Sequence, residues 1–231
     1  VTSIASYTEQ IERDGFACIP KVLDEAQISK LKEALYAIAR GNKSQPYGLR
    51  RLLEKVPAIR NLCTQSCIRH WVEPILGENA FPVRGLFFDK TVNANWGIRW
   101  HQDVTIAVQQ RLEAPGFSPW SQKEGVCHVQ PPLEVLEKML ALRVHLDDTG
   151  ADNGCLWVVP GSHRCGRLSR QQVQKLTERG NAHPIPRGGI LAMKPLLLHS
   201  SRRAATPRHR RILHLEFATE ALPHGLKWYG S

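Results

Sequence analysis

About a third of the way along the chain, the spacing of hydrophobic positions changes from helical to alternating. Asp24 and Gln27 resemble a capping box, and behind them Ile28, Leu31, Leu35 and Ile38 recur at i, i+3, i+7 and i+10. That is the pattern of a helix with one buried face. Gly41 is the expected C-cap. A second helix is expected over residues 61–76, burying Leu62, Ile68, Trp71, Val72 and Ile75 and stopped by Gly77. From Phe81 onward the period is two. Strands are expected over 84–90, 139–146, 155–159, 190–193, 196–200 and 211–217, bounded by Gly, Pro, Asn or Asp. In 139–146, Leu140, Leu142, Val144 and Leu146 share one apolar face and leave Arg143 and His145 on the other. A helical first third followed by short strands predicts helices packed on a β-sandwich or barrel, a mainly-β class with flanking helices. Residues 106–138 lack strict periodicity and hold Pro115, Gly116, Pro119, Gly125, Pro131 and Pro132. A connection that long inside a compact domain reads as an active-site lid or a flexible segment. No repeat or low-complexity linker divides the chain, so residues 1–231 read as one domain.

With 42% apolar and 23% charged residues over 231 positions, the composition is that of a globular chain with a full core. The longest apolar runs, such as 196–198, fall far short of the ~18 residues a membrane span needs. The first thirty residues carry charges throughout and lack an apolar h-region, so no signal peptide and a cytoplasmic location are expected. A start at Val1 leaves room for a trimmed upstream piece. The six cysteines form no CxxC pair, which argues against a disulfide framework. Cys63, Cys67 and His70 have a loosely metal-like spacing, but on a helix with a buried face they read as inert thiols. The net charge of +10 invites a nucleic acid or an anionic small molecule as partner. No zinc finger, RNA-binding aromatic signature or helix-turn-helix accompanies it. Arg202, Arg203, Arg208, Arg210 and Arg211 read mostly as a solvated face, and neither nucleic-acid nor membrane binding is expected.

Trp100-His101-Gln102-Asp103 carries the chemistry. In an extended segment His101 and Asp103 project from one face and can take adjacent positions on a divalent ion, although a polar pair at a strand end looks the same. His199 downstream changes that balance. Two His and one carboxylate leave three positions open on one side of a metal, as in the facial triad of non-haem Fe(II) oxygenases. Two of these suit a bidentate 2-oxo acid and one suits O2. Ser201 shares the face of His199, and Arg210 follows eleven residues after it. Arg210 is a candidate cation for the far carboxylate of the acid.

These residues resemble a known family. Trp100-His101-Gln102-Asp103, the run from Asp152 to His163 (DNGCLWVVPGSH), and His199-Ser200-Ser201 followed by Arg210 look like the phytanoyl-CoA dioxygenase family. Asp14-Gly15-Phe16 and Phe88-Asp89-Lys90 extend the resemblance over nearly the whole chain. It implies a double-stranded β-helix (jelly-roll) oxygenase that uses Fe(II), O2 and 2-oxoglutarate to hydroxylate an unactivated C–H, releasing succinate and CO2. By motif position His101, Asp103 and His199 would ligate the iron. Arg210 and Ser201 would clamp the C5 carboxylate of 2-oxoglutarate. Arg143 falls where many relatives place a Trp, leaving open a surface ion pair or a second 2-oxoglutarate contact. Leu86 and Lys90 share a face with Phe88 and would line the same cavity. Trp120 and His128 are lid or substrate-pocket candidates. His214 either faces the cavity or is a satisfied interior histidine. His163 and the Asn153-Gly154 turn, expected at positive φ, read as structural.

Related halogenases lack the carboxylate ligand, so Asp103 argues against halogenation. A catalytically inactive or non-2-oxoglutarate metal protein on the same scaffold would have no need for Ser201 and Arg210. The substrate is expected to be a small organic molecule, anionic or acyl, that the sequence does not specify further.

Overall fold

The computed structural model describes residues 3–40 and 47–230, so the expected cap at Gly41 lies outside the described residues. Among these, the helices are α1 (Ile4–Asp14), α2 (Glu25–Arg40), α3 (Leu52–Lys55), α4 (Pro57–Leu62), α5 (Ser66–Leu76), α6 (Leu133–Glu137) and α7 (Arg170–Leu176). The strands begin with β1 (Phe16–Ile19), β2 (Gly48–Leu49), β3 (Phe81–Lys90), β4 (Ile98–His101) and β5 (Ile106–Val108). They continue with β6 (Trp120–Lys123), β7 (Val126–Val129), β8 (Met139–His145), β9 (Leu156–Val158) and β10 (Asn181–His183). The last three are β11 (Ile190–Met193), β12 (His199–Ser201) and β13 (Arg210–Ala218).

The major sheet has the order β1-β11-β8-β13-β3-β2 and the minor sheet β10-β9-β12-β4. Their strand pairs are antiparallel. Together they form the jelly roll expected. Alternation decides what each face does. Leu140, Leu142 and Val144 of β8 and Leu213, Leu215 and Phe217 of β13 join the core under α1–α5, together with Tyr7, Ile28, Ile59, Ile68 and Val72. The intervening residues face inward. The register there sets His214 opposite both Leu86 and Arg143, and Arg210 opposite Lys90.

The capping box forms, since the Gln27 N–H donates to Asp24 Oδ1 at 2.7 Å and the Asp24 N–H to Gln27 Oε1 at 2.9 Å. The single helix expected over 61–76 is two. α4 ends at Leu62, and Gln65 is extended (φ −73°, ψ 147°) before α5 begins. The break reorients the chain while Leu62, Ile68 and Val72 all stay buried, with Trp71 and Ile75 packed partly against them. Helix α1, which the periodicity reading did not assign, is capped by the Ser3 side chain and stops at Gly15 in the left-handed region. The strand expected over 196–200 begins only at His199. Leu196, Leu197 and Leu198 are all buried, Leu196 and Leu197 in two different clusters, as a turn after Pro195 allows and an alternating strand does not.

Residues 106–138 carry a third sheet of order β5-β7-β6 followed by α6. Ile106, Val108, Phe117, Val129 and Leu136 form its core with Val83, Leu222 and Trp228. Strands of three or four residues are too short for alternation to be counted, which is why the periodicity was invisible.

Candidate metal and anion site

His101 closes β4 and lies directly opposite His199 on β12. Asp103 follows on an irregular turn held by its N–H to the Pro195 carbonyl at 2.9 Å. Between the two N-terminal ligands, Gln102 points away and ties the turn down. Its Nε2 donates to the carbonyls of Leu196 (2.7 Å) and Gly166 (2.9 Å), and its Oε1 accepts from the Leu168 N–H (2.8 Å).

The ligand atoms converge. Asp103 Oδ1 lies 3.7 Å from His101 Nε2, and Oδ2 lies 3.7 Å from His199 Nε2. One ligand atom from each residue falls within 4.8 Å of the other two. Both imidazoles have the Nδ1 side engaged, His101 on the Arg99 carbonyl and His199 on the Leu197 carbonyl, each at 2.8 Å. A carbonyl accepts only, so each Nδ1 carries the hydrogen and each Nε2 is turned to the shared space, where a metal would be bound. Burial pushes His199 down to about 4, so this imidazole is neutral at pH 7. Burial pulls the Asp103 carboxyl up, but His199, His214, His101 and Arg84 outweigh it and hold the group well below the usual carboxylate range. Two imidazoles and a carboxylate are a donor set that fits a divalent transition metal.

The three residues line one wall of a cavity whose other walls include Arg84, Leu86, Phe88, Arg143, Ser201 and His214. Behind Ser201 lie Lys90 and Arg210, both almost fully buried. Lys90 Nζ donates to Ser201 Oγ and to the Arg202 carbonyl, each at 2.8 Å. Arg210 Nη1 donates to the Gly154 carbonyl, which also accepts from Ser201 Oγ at 3.0 Å. Gly154 has the expected positive φ, 67°. A Cβ there would meet the Arg202 carbonyl at 2.8 Å and Lys90 Nζ at 3.2 Å, so the clamp closes only around glycine.

Arg143 is buried, which removes the surface ion pair left open by the sequence. Among the described residues neither Lys90, Arg143 nor Arg210 has a carboxylate within ion-pair range, and Nε of both arginines is buried without a partner. Burial, then Arg210 and Arg143, bring Lys90 down to about 7. Burial, then Arg143, lower Arg210 to about 9. Three buried basic side chains, two of them arginines with an orphan Nε, fit an anionic ligand. Arg211, next along β13, points to the opposite face and forms a two-point pair with Asp147 (2.6 and 2.7 Å), which Lys32 of α2 also contacts.

His214 satisfies both of its readings, lining the cavity and using both ring nitrogens. Nε2 is 3.0 Å from Glu216 Oε1 and 3.9 Å from Asp103 Oδ2, while Nδ1 lies 3.3 Å from Arg143 Nη1. Arg84 closes this chain on Glu216. The Arg84–Glu216 pair was not singled out from the sequence, although each residue shares an alternating face with Lys90 or Arg210. His128 is buried beside Arg84 and Leu86 in an adjoining groove. Trp120 does not reach the metal cavity; its ring packs on the core of the third sheet with Arg111 5.8 Å above it. His163 packs on Gly15 and contacts the Glu12 carbonyl at 3.2 Å, a structural role.

A facial triad inside a jelly roll, open toward a cavity, defines the class of the non-haem iron oxygenases. Comparison with known proteins agrees. The phytanoyl-CoA dioxygenase (PhyH) family profile matches residues 11–212, and the chain belongs to that family. "Phytanoyl-CoA dioxygenase domain-containing protein 1" of Rattus norvegicus is 26% identical over 95 residues, 34% of this chain and 32% of that protein. The Bos taurus protein of the same name is 38% identical over 63 residues, 27% of this chain and 20% of its own length. The matched stretch thus spans a third or less of these curated relatives. Among solved structures, AviO1 from Streptomyces viridochromogenes Tue57 superposes with a TM-score of 0.69 at 23% identity, covering 96% of this chain and 98% of that one. EctD from S. alaskensis, solved with 2-oxoglutarate and 5-hydroxyectoine, gives 0.70 at 17% identity, with 91% and 74% covered. The α-ketoglutarate-dependent epimerase SnoN gives 0.71 at 17% identity, with 93% and 80% covered. These likenesses establish the fold. No helix among the described residues is long and apolar enough to cross a membrane.

Proposed function

We propose that this protein is an Fe(II)- and 2-oxoglutarate-dependent oxygenase that hydroxylates a C–H bond of a small organic molecule. The observation that carries this reading is a single cavity that joins the converging triad to Arg143 on its lining and to Lys90 and Arg210 behind Ser201, none of which has a carboxylate in ion-pair range. His101, Asp103 and His199 would hold the iron, which supplies O2 activation coupled to decarboxylation of the 2-oxo acid. In the balanced reaction one oxygen atom ends in succinate and the other in the alcohol, with CO2 released.

The chain's own residues do the rest. Arg210, Lys90 and Ser201 bind the C5 carboxylate and so aim the 2-oxo acid group at the triad. Arg143, level with His214 on β13 and on the cavity lining with the triad, gives a second cationic contact to the cosubstrate. Phe88, Leu86 and Leu156 exclude water from the cavity. Residues 106–138 form a lid over it. Anaerobic addition of Fe(II) and 2-oxoglutarate should produce a metal-to-ligand charge-transfer absorption that His199→Ala abolishes. Absence of the band from the wild type, or its full retention in the variant, would sink the reading. A compound screen by stimulated succinate formation then identifies substrates.

A further inference from the structure

Arg143 is a buried cation on the lining of the metal cavity, lowered by burial only to about 10 and so still charged at pH 7. The register sets it level with His214 on β13 and, beyond that, with Leu86 on β3. Among the described residues its one hydrogen bond runs to His214, with Nη1 3.3 Å from Nδ1. A guanidinium only donates, so Nδ1 accepts and the ring hydrogen sits on Nε2, 3.0 Å from Glu216 Oε1. Arg84 fixes that carboxylate from the other side, in a small chamber beneath Asp103. The histidine is thereby held in the tautomer opposite to that of His101 and His199. It is no metal ligand in this arrangement, although Nε2 lies 3.9 Å from Asp103 Oδ2. What the Arg84–Glu216–His214 chain holds is Arg143, whose guanidinium also lies over the Phe88 ring, 6.0 Å from its centroid.

The two ends of the cavity are therefore furnished differently. Arg210 works with Lys90 and Ser201 at the far end. The stretch of β13 from Arg210 to His214 spans about 13 Å at roughly 3.3 Å per residue. Arg143 stands at the triad end, one imidazole ring away from Asp103. Its Nη1 is spent on His214, its Nε is buried without a partner, and no carboxylate among the described residues pairs with it. A dicarboxylate gripped at one end by Arg210 and Lys90 brings its other carboxylate here. In a 2-oxo acid chelated through its keto oxygen and one C1 carboxylate oxygen, the second C1 oxygen keeps part of the charge and calls for a charged donor. Arg143 is the unpaired cation placed to supply one.

We infer that Arg143, held in place by His214, binds the carboxylate adjacent to the keto group, so that the site grips 2-oxoglutarate at both ends. This rests on the oxygenase reading and assigns one end of its cosubstrate. The probe is pyruvate, which carries the keto group and the C1 carboxylate without the distal one. Pyruvate and 2-oxoglutarate are each titrated anaerobically into the Fe(II) enzyme, with the charge-transfer band and calorimetry as readouts. Arg143→Gln should raise the dissociation constants of both acids about tenfold or more, whereas Arg210→Gln should do so for 2-oxoglutarate and leave pyruvate within about twofold. His214→Leu keeps Arg143 but removes its acceptor, and should weaken both acids. His214→Gln, whose amide both accepts and donates, should recover most of that loss. A full band at saturating 2-oxoglutarate shows that a variant is folded and holds iron; should Arg143→Gln fail to fold, the two His214 variants decide. Weakened 2-oxoglutarate with unchanged pyruvate in Arg143→Gln would put Arg143 at the distal carboxylate and overturn the inference. Unchanged affinity for both acids, or no saturable pyruvate binding by the wild type, also overturns it. Equal losses in His214→Leu and His214→Gln would overturn the positioning role. Each of these results leaves the oxygenase reading standing as long as the wild type forms the band with 2-oxoglutarate. Absence of that band sinks the reading and this inference together.

Discussion

Replacing Arg210 by alanine removes a cation that is 2% exposed and has no carboxylate of its own. In the proposed complex its partner is the C5 carboxylate of 2-oxoglutarate. Deleting one member of a buried, hydrogen-bonded charge pair costs about 2–5 kcal/mol, much of it from leaving the other charge unpaired. Here the anion is not abandoned. Lys90 remains hydrogen-bonded to Ser201 at 2.8 Å, and removal of Arg210 relieves part of the repulsion that lowers the lysine's charge. The loss should therefore fall in the lower half of that range, about 2–3 kcal/mol, or roughly 30- to 150-fold in dissociation constant. Anaerobic titration of the Fe(II) enzyme with 2-oxoglutarate, followed by the charge-transfer band, measures it directly. Iron affinity should be unchanged, because the triad lies on other strands. Arg211→Ala is the internal control. That side chain is bound to Asp147 on the outer face, so its loss should lower the melting temperature and leave 2-oxoglutarate affinity alone. If Arg211 proved the sensitive residue, the inward face of β13 would be misassigned. If neither mattered, 2-oxoglutarate is not held at this end of the cavity.

Two further outcomes are expected. Lys90, brought down to about 7 by burial and its cationic neighbours, is about nine-tenths neutral at pH 8, and a bound carboxylate restores its charge. 2-Oxoglutarate binding at pH 8 should therefore take up close to one proton, measured by calorimetry in buffers of different ionisation enthalpy and absent from Lys90→Met; zero uptake by the wild type contradicts the clamp. Residues 106–138 should gain hydrogen-exchange protection when Fe(II), 2-oxoglutarate and a substrate bind, and identical protection in all states would show that the third sheet is not a lid.

Much of this was legible wherever alternation runs long enough. The inward face of β8 followed from Leu140, Leu142 and Val144, and that of β13 separated Arg210 from Arg211. The HxD spacing and His199 identified the triad because side chains two apart on an extended segment share a face. Local pattern failed where geometry is set at a distance. The three-residue strand β5 offers too few positions to show a period, and the 196–198 run is uniformly apolar because its leucines serve different clusters. The helix break at Gln65 leaves the buried set unchanged and so leaves no trace in periodicity. The Gly154 carbonyl joins the clamp through its backbone, which no side-chain pattern reports. Glu216 meets Arg84 only through the β3–β13 register, 132 positions apart in sequence.

Strands β8 and β13 carry two sets of residues on opposite faces. Leu140, Leu142, Val144, Leu213, Leu215 and Phe217 serve the helix layer, whereas Arg143, His214 and Glu216 serve the cavity and the chamber beneath it. Substitution on the inward set can alter what the cavity accepts without disturbing the packing that keeps the chain folded. A scaffold divided in this way is readily evolvable. New chemistry can be explored on one side of a strand while selection for stability acts on the other, provided the buried Arg84–Glu216–His214 chain is changed as a unit so that no charge is left unpaired.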